Sequence, residues 1–268
     1  MYKGKRNMSC PYVIAFANQK GGVGKTTSCV NIASSAAARG LNVLLIDEDP
    51  QGNSTSGVGI SKKNISKSTY DVLVSEDSPD ECIIKTNFKN LSVVPSTIEL
   101  AGAEFELFDV AHRENRLKNF IAKCSGYDLV VIDCPPSLSL LTINALTAAD
   151  GVIIPMQCEY YALEGLTQLM MSIRRVKELY NRNLSVLGIL VTMYNGRLNL
   201  TSAVLGEIKK YYADKLLKTA IPRAVKLSEA PSFGTPINYH DKYSKASEAY
   251  DAATDEILKR IGIYPTSL

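Results

Sequence analysis

Short apolar runs alternate with longer segments of helical periodicity along most of the chain. The runs are continuously apolar and do not alternate with polar residues, which is typical of strands that are covered on both faces. The predicted strands are 12–17, 42–47, 91–95, 127–135, 151–156, 185–193 and 217–222. The predicted helices are 26–39, 98–124, 138–149, 162–181, 199–212 and 244–261.

This alternation predicts an α/β fold with a mostly parallel, twisted sheet, right-handed crossovers and helices on both faces. No internal repeat, low-complexity tract or linker interrupts the 268 residues. Residues 1–268 are therefore interpreted as one domain, with residues 1–10 as a flexible N-terminal arm. Because ligands of such sheets bind beyond the carboxyl ends of the strands, we expect the chemistry in the loops that follow them.

Composition argues against several classes of protein. The six cysteines are scattered without a C-x-x-C, and the only histidines are His112 and His240, which disfavours a local zinc or cluster site. No apolar run approaches the roughly 18 residues needed to span a membrane. The apolar "CPYVIAFA" near the N-terminus leads directly into a polar loop and is interpreted as a strand, not a signal peptide. We expect a cytoplasmic protein with reduced thiols and no membrane contact.

The net charge of +3 is unevenly distributed along the chain. Residues 174–245 contain 13 Lys or Arg and 5 Asp or Glu, a local charge of +8, so the remainder carries −5. Such a basic stretch suggests a surface that faces a polyanion, although surface lysines are often only solvated.

The stretch "NQKGGVGKTT" (18–27) follows the first predicted strand and opens the first predicted helix. Its glycines permit a tight turn whose N–H groups converge on phosphate oxygens, and the helix N-terminus adds partial positive charge. Lys25 would reach the β- and γ-phosphates, and the Thr26 hydroxyl would bind Mg²⁺. A glycine-rich turn without a ligand is disfavoured by this order of elements. The predicted nucleotide contacts in the loop are Lys20, Gly21, Gly22, Val23, Gly24, Lys25, Thr26 and Thr27.

The loop departs from the common phosphate-loop pattern, because Gln19 stands where the first glycine is expected and Lys20 follows it. Three carboxylates complete the candidate site. Asp133 ends the strand in "LVVIDCPP" and suits a contact to Mg²⁺ through a water molecule. Asp47 and Asp49 follow the strand in "LLIDEDPQGN" and could orient or deprotonate water. The alternative for each of them is a helix cap or a turn former.

With its extra lysine, "KGGVGKTT" resembles the deviant Walker A motif. Further blocks follow in family order: "DEDPQGNSTSG", "VVIDCPPSLSLLTINAL", "PMQCEYYALEGL", "TMYNGRLNL" and "IPRAVKLSEAPSFGTPI". Together they resemble the ParA-type partition ATPases, the Soj-like chromosome and plasmid segregation proteins, over roughly residues 11–261. The resemblance implies a P-loop NTPase fold, ATP and Mg²⁺ as cofactors, an ATP-dependent homodimer on the nucleoid, non-specific binding of double-stranded DNA, and a ParB-type partner that stimulates slow hydrolysis.

The resemblance also implies roles for individual residues. Lys20 matches the lysine that crosses the dimer interface to the partner subunit's phosphates, and Gly21 the small residue that permits this approach. Asp49 matches the aspartate linked to hydrolysis, with Asp47 as the supporting carboxylate, and Asp133 matches the Walker B position. The positions implied for the adenine pocket are Asn195, Pro222 and Arg223. Those implied for DNA contact are Lys226, Lys242 and Lys245.

Three alternatives stay open at the level of sequence. A membrane-associated ATPase of the MinD type shares the deviant loop, but the C-terminal "DEILKRIGIYPTSL" offers only one basic pair. A metal-cluster or small-molecule ATPase would need a suitable cysteine pair, for which Cys134 and Cys158 are weak candidates. The third is a nucleotide-gated scaffold that binds ATP and barely hydrolyses it.

Overall fold

The computed structural model describes residues 2–4, 10–160 and 162–265. Within these ranges the strands form a seven-stranded sheet and a separate two-stranded sheet. The strands are β1 (Tyr2–Gly4), β2 (Tyr12–Phe16), β3 (Val43–Asp47), β4 (Ile84–Lys85), β5 (Leu91–Val94), β6 (Leu129–Asp133), β7 (Gly151–Gln157), β8 (Ser185–Thr192) and β9 (Ile263–Pro265).

The large sheet has the strand order β4-β5-β3-β6-β2-β7-β8. Its strands pair in parallel except β4, which is antiparallel to β5 at one edge. Because β6 lies between β2 and β3, the carboxyl ends of these three strands meet at the centre of one sheet edge. The predicted fold class, with its mostly parallel sheet, is confirmed.

Helices cover both faces of the sheet. The α-helices of the described residues are α1 (Lys25–Ala38), α2 (Asn53–Gly57), α3 (Thr69–Val74), α4 (Pro79–Cys82), α5 (Ala103–Glu106), α6 (Arg116–Lys123), α7 (Leu140–Ala148), α8 (Ala162–Leu179), α9 (Asn199–Tyr212), α10 (Val225–Glu229), α11 (Ile237–His240) and α12 (Lys245–Arg260). Short 3₁₀ turns occupy Lys62–Asn64, Ile98–Gly102, Arg113–Asn115 and Ala230–Phe233.

Alternate residues of the central strands enter two different cores. Val13 and Ala15 of β2 belong to the core beneath α6, α7 and α8. Ile14 and Phe16 belong to the core beneath α1 and α12. Each aliphatic side chain that is fully buried in this way contributes roughly 1.5–3 kcal/mol. Burial on both faces is why the strands read as uninterrupted apolar runs.

The prediction of one helix over 98–124 is wrong, because the segment is divided into a 3₁₀ turn, α5, a second 3₁₀ turn and α6. The interruption follows α5, where His112 adopts a left-handed φ of 56°. The guanidinium group of Arg113 donates to the carbonyl oxygen of Leu107 at 3.2 Å and also to that of Phe108. These carbonyl groups therefore keep hydrogen-bond partners although the helix has ended.

The predicted strand over 217–222 is also wrong. The segment makes only isolated bridges, from Leu216 to Ile189 and from Pro222 to Tyr194. Pro222 has no N–H group and cannot donate to a continuous ladder. The main chain still bonds along the outer edge of β8, since the N–H of Leu217 donates to Ile189 at 2.9 Å and that of Ile221 to Val191 at 2.8 Å.

The N-terminal segment, predicted to be a flexible arm over 1–10, includes a paired strand. Residues 2–4 form β1, which is antiparallel to β9 near the C-terminus. Residues 1 and 5–9 lie outside the described part of the chain. The pairing places the two ends of the described chain next to each other.

Candidate functional site

The loop between β2 and α1 lies at the centre of the sheet edge where parallel strands end. Gly22 and Gly24 have φ values of +72° and +80°, a left-handed conformation that favours glycine. Gly24 also precedes α1 as its N-cap and makes no side-chain capping bond. The first N–H groups of a helix of 14 residues therefore point out of its N-terminus without a side-chain cap. Such a terminus is suited to a phosphate group.

Two residues at the ends of the neighbouring strands hold this loop in place. The hydroxyl oxygen of Thr192, at the end of β8, lies 2.7 Å from the carbonyl oxygen of Val23 and 3.1 Å from that of Met156. The side-chain amide of Gln157, at the end of β7, donates to the carbonyl oxygen of Gly22 at 2.7 Å. Sequence reasoning missed both residues, because neither belongs to the loop motif and only the strand order brings them to it.

The two lysines of the loop have different surroundings. Lys25 is 6% exposed, and its ammonium group donates to the carbonyl oxygen of Lys20 at 2.9 Å. Burial lowers the pKa of Lys25, and the negative charge of Asp133 is the main opposing influence. The side chain of Lys20 is half-exposed and forms an ion pair with Glu159, a residue that the sequence did not single out. Only Lys25 is therefore directed into its own loop.

Two of the predicted carboxylates are direct neighbours. Asp47 and Asp133 are register partners at the ends of β3 and β6, and both are fully buried. One carboxylate oxygen of Asp47 accepts bonds from the N–H and the hydroxyl of Thr55, each at 2.7 Å. Asp133 accepts a bond from the hydroxyl of Ser54 at 2.6 Å. Burial raises the pKa of both aspartates, and the repulsion between them raises that of Asp133 further.

The other carboxylate oxygen of Asp133, Oδ1, is buried and has no hydrogen-bond partner among the described residues. The hydroxyl groups of Ser54 and Thr26 oppose the rise in the pKa of Asp133, so Thr26 lies near this carboxylate. An unsatisfied carboxylate oxygen beside a hydroxyl is a hard oxygen donor set, which fits Mg²⁺ or water bound to it. The residues present therefore fit the magnesium ion that the sequence predicts.

Asp49 begins a tight turn that leaves the sheet edge. Its carboxylate accepts a bond from the N–H of Gln51 at 2.9 Å, and its own N–H donates to Asp47 at 3.3 Å. Between the two aspartates, Glu48 is fully buried, and neither of its carboxylate oxygens has a hydrogen-bond partner among the described residues. Burial raises the pKa of Glu48, with a smaller contribution from Asp47. The Asp49 carboxylate is therefore held by a hydrogen bond within its own turn.

A small cavity of about 150 Å³ lies between the phosphate loop and the chain at residues 221–224. Gly24, Thr27, Met193, Pro222 and Arg223 contribute to its lining, which brings two of the residues implied for adenine next to the loop. Asn195 lies outside this lining; it is exposed and accepts a bond from the N–H of Arg197 at 3.2 Å. The apolar side chain of Met193, which the sequence did not suggest, completes one wall.

The three lysines implied for DNA contact are all exposed and lie between the start of α10 and the start of α12. Lys226 is in α10 and pairs with Glu229 at 2.9 Å. The ammonium group of Lys242 lies 5.8 Å from the ring centre of Tyr243, and Lys245 is the first residue of α12. Both α10, which carries Lys226, and α12, which begins at Lys245, contact α11.

The described residues contain no membrane-spanning helix and no cluster of metal ligands. Within them, no helix is long and apolar enough to cross a membrane. No group of His, Cys, Asp or Glu in the same ranges is arranged to hold a metal by itself. Cys134 is buried and Cys158 half-buried, both as free thiols.

A glycine-rich loop at the end of a central parallel strand, with a buried lysine and strand-end carboxylates, defines a P-loop nucleotide-binding protein. In agreement, the model of the AAA domain family matches residues 12–186. Sequence relatives identify the family within this class of nucleotide-binding proteins. The chain is 53% identical to the sporulation initiation inhibitor protein Soj of Bacillus subtilis, over 89% of this chain and 94% of that protein. It is 47% identical to the chromosome partitioning protein ParA of Myxococcus xanthus, over 92% and 88%. The chain belongs to the ParA/Soj family of partition ATPases.

Solved structures with bound nucleotide share this fold. A cobyrinic acid a,c-diamide synthase from Mycobacterium smegmatis, determined with bound ADP and magnesium, is 35% identical with a TM-score of 0.82, over 96% of this chain and 100% of that one. A putative plasmid partition protein from Borrelia burgdorferi, bound to AMPPNP, is 28% identical with a TM-score of 0.78, over 94% and 100%. The predicted family resemblance is confirmed.

Proposed function

We propose that this protein is a DNA-segregation ATPase in which ATP and Mg²⁺ bring two copies together as a sandwich dimer. The observation that carries the proposal is the separation of the two loop lysines. Lys25 is buried against its own loop, whereas the Lys20 side chain is half-exposed and held by an ion pair at the surface. A cation that is not needed by its own loop is available to the nucleotide of a second subunit.

The geometry supports a set of residues that would hold the nucleotide. The N–H groups of residues 21–27 and the ammonium group of Lys25 suit the phosphates, and the cavity beside Pro222 and Arg223 suits the base. Thr26 and Asp133 would hold Mg²⁺, the latter through water. When bound, the ion neutralises charge that develops on the phosphate oxygens.

Hydrolysis requires a water molecule in line with the terminal phosphate. In our proposal Asp49 orients this water, and Asp47 supports the position of Asp49 through the bond from the Asp49 N–H to Asp47 Oδ1. Lys20 of the second subunit stabilises the negative charge of the transition state. Intrinsic turnover is slow in this scheme, because the second subunit has to supply one of the charges.

Dimerisation would join two basic surfaces, each with Lys226, Lys242 and Lys245, into one face for double-stranded DNA of any sequence. Lysine ammonium groups neutralise phosphates without reading bases, which suits non-specific binding. A ParB-type partner that carries a basic peptide would accelerate hydrolysis and so release the DNA. The whole chain acts as one domain in this proposal, in the cytoplasm and on the nucleoid.

The test is gel filtration of the protein with ATP and Mg²⁺, with ADP, and without nucleotide, followed by DNA binding of each species at two salt concentrations. We expect a dimer only with ATP, DNA binding only by that dimer, and a steep loss of affinity at high salt. A protein that stays monomeric with ATP would contradict the proposed dimer. DNA binding that is equal at both salt concentrations would contradict the electrostatic role of the lysines.

A further inference from the structure

Three large apolar side chains on the segment that follows β5 are exposed. Ile98, Phe105 and Phe108 are 64%, 86% and 69% exposed. Phe108 continues directly from α5, since its N–H donates to the carbonyl oxygen of Phe105 at 3.2 Å. Large apolar groups that are exposed together on one segment are typical of an interaction surface. The nucleotide site and the basic surface described above use none of them.

The same part of the chain is strongly acidic. Residues 69–115 contain ten Asp or Glu and three Lys or Arg. Glu99 and Glu106 are exposed next to the apolar groups, and the hydroxyl of Tyr70 donates to Glu106 at 2.8 Å. We refer to Ile98, Glu99, Phe105, Glu106 and Phe108 as the acidic-aromatic surface. Its chemistry is complementary to a segment that carries both cations and apolar side chains.

A groove with a volume of about 600 Å³ adjoins this surface. Ile98 and Glu99 are common to both, and the opposite wall is formed by the chain just after Asp49. The main lining residues are Pro50, Gln51, Lys62, Tyr70, Ile98 and Glu99. The groove therefore connects the acidic-aromatic surface with the turn that carries the hydrolytic carboxylate.

Specific contacts connect the groove to Asp49. The ammonium group of Lys62 donates to the carbonyl oxygen of Gln51, and the N–H of Gln51 donates to the Asp49 carboxylate at 2.9 Å. Lys62 also packs closely over Gly52, where a Cβ atom would lie 2.8 Å from Lys62 Cε. A displacement of Lys62 would thus change the support of the turn from Asp49 to Gly52.

We propose that the groove and the acidic-aromatic surface are the docking site for a cationic peptide of the activating partner, and that its binding acts on Asp49 through Lys62 and Gln51. This inference rests on the proposed function, which supplies the activator and the reaction that it accelerates. Glu99 and Glu106 bind the peptide's cations, and Phe105, Phe108 and Ile98 bind its apolar side chains. Lys62 is the one cationic side chain in the groove lining, so an incoming ammonium or guanidinium group repels it from Gln51.

The experiment compares ATP turnover with and without the cognate ParB-type protein, in the presence of DNA. The variants are Glu99→Lys and the double variant Phe105→Ser/Phe108→Ser, all at exposed positions. Glu99→Asp is the matched control for charge. Leu179→Ser is the control for loss of an exposed apolar group, since Leu179 is 61% exposed on α8. Hydrogen exchange of residues 97–108 with and without the ParB-type protein gives a direct readout of binding.

We expect the wild type and both controls to be accelerated, and the two surface variants to need at least about tenfold more ParB-type protein for the same acceleration, which corresponds to a loss of about 1.4 kcal/mol in binding. Residues 97–108 should gain protection in the wild type only when that protein is present.

Surface variants that are accelerated like the wild type would overturn the docking site and leave the proposed function intact. A wild type that hydrolyses ATP without acceleration would overturn the activation step of the proposed function, and the docking site with it. Loss of the ATP-dependent dimer in Phe105→Ser/Phe108→Ser would assign the surface to a second copy of the chain and overturn the proposal.

Discussion

The ammonium group of Lys25 donates a hydrogen bond of 2.9 Å to the main-chain carbonyl oxygen of Lys20. The main chain of Lys20 is therefore tied to the phosphate loop, while its side chain extends away from the loop to Glu159. The two lysines are five residues apart and share one contact, yet their ammonium groups have different surroundings. Substitutions at the two positions should accordingly have separable effects.

We expect Lys25→Ala to weaken nucleotide binding by about tenfold or more, since hydrogen bonds of charged groups contribute about 1.5–3 kcal/mol. Lys20→Ala should retain nucleotide binding by the monomer and lose the ATP-dependent dimer. Titration with a fluorescent ATP analogue and gel filtration distinguish these outcomes. An intact ATP-dependent dimer in Lys20→Ala would refute the assignment of Lys20 to the second subunit.

Replacement of Asp49 by Asn should lower turnover by about 10²–10⁴-fold, the range typical of a lost general base. The shape of the side chain is kept, so it can still accept the bond from the N–H of Gln51. The variant should therefore still bind ATP, dimerise and retain DNA. Phosphate release is the measurement, with DNA retention on the same sample as the control. Turnover at the wild-type rate would exclude Asp49 from the reaction.

The buried aspartates at the ends of β3 and β6 should make stability depend on pH. The pKa values of Asp47 and Asp133 are raised in the folded protein, so the folded state holds these protons more tightly than the unfolded state does. The free energy of unfolding should therefore fall as the pH rises from the ordinary Asp pKa of about 4 through the raised values. For the protein without nucleotide we expect a loss of at least about 1.4 kcal/mol, the equivalent of one pKa unit.

Chemical denaturation at a series of pH values measures this effect, with Asp133→Asn as the matched variant. The amide is neutral at every pH and relieves the repulsion on Asp47, so the decline should be shallower. Parallel curves for the wild type and Asp133→Asn would show that Asp133 does not titrate in this range.

Thr192→Val should destabilise the phosphate loop without changing the shape of the core. The hydroxyl of Thr192 lies within hydrogen-bond distance of the carbonyl oxygens of Val23 and Met156, and valine satisfies neither. An unsatisfied buried carbonyl group costs about 1–3 kcal/mol. We expect weaker nucleotide binding and a lower free energy of unfolding, both restored by Thr192→Ser. Equal nucleotide affinity in Thr192→Val and the wild type would show that this contact does not support the loop.

Removal of charge at Lys226 and Lys245 should abolish DNA retention while ATP binding persists. The slope of log affinity against log salt should decrease by about 0.9 for each phosphate contact that is lost. Glu229→Gln should have the opposite effect, because Glu229 pairs with Lys226 and partly neutralises it. Lys89→Ala, at an exposed lysine in the turn between β4 and β5, is the control. Loss of DNA binding in Lys89→Ala to the same degree would indicate a general effect of charge.

The fold and the centre of the site could be predicted because their signals are local. Continuous apolar runs identified the parallel strands, and the glycines and lysines of one loop identified the phosphate site. Asp47 and Asp133 followed from their positions at strand ends, since parallel strands of one sheet end at the same edge.

The supporting residues could not be predicted in this way. Gln157, Thr192 and Glu159 contact the loop from segments more than a hundred residues away along the chain. They lie in the quoted family blocks, but nothing in those blocks assigns them a contact with the loop. The break within 98–124 coincides with a left-handed His112 and with the bonds of Arg113 to carbonyl groups, and apolar periodicity encodes neither of these. The bridge-paired segment after α9 resembled a strand because its apolar side chains face the core as those of a strand do.

The segment 217–222 limits how copies of the protein can associate. By bonding to Ile189 and Val191, it occupies the outer hydrogen-bonding groups of β8, while the two-residue antiparallel β4 ends the sheet on the other side. Exposed strand edges are the usual starting points for aggregation, and here both are blunted. If the protein binds DNA as proposed, many copies along one DNA molecule should not join their sheets edge to edge. In the proposed function, self-association would instead use the loops at the strand ends and would depend on nucleotide.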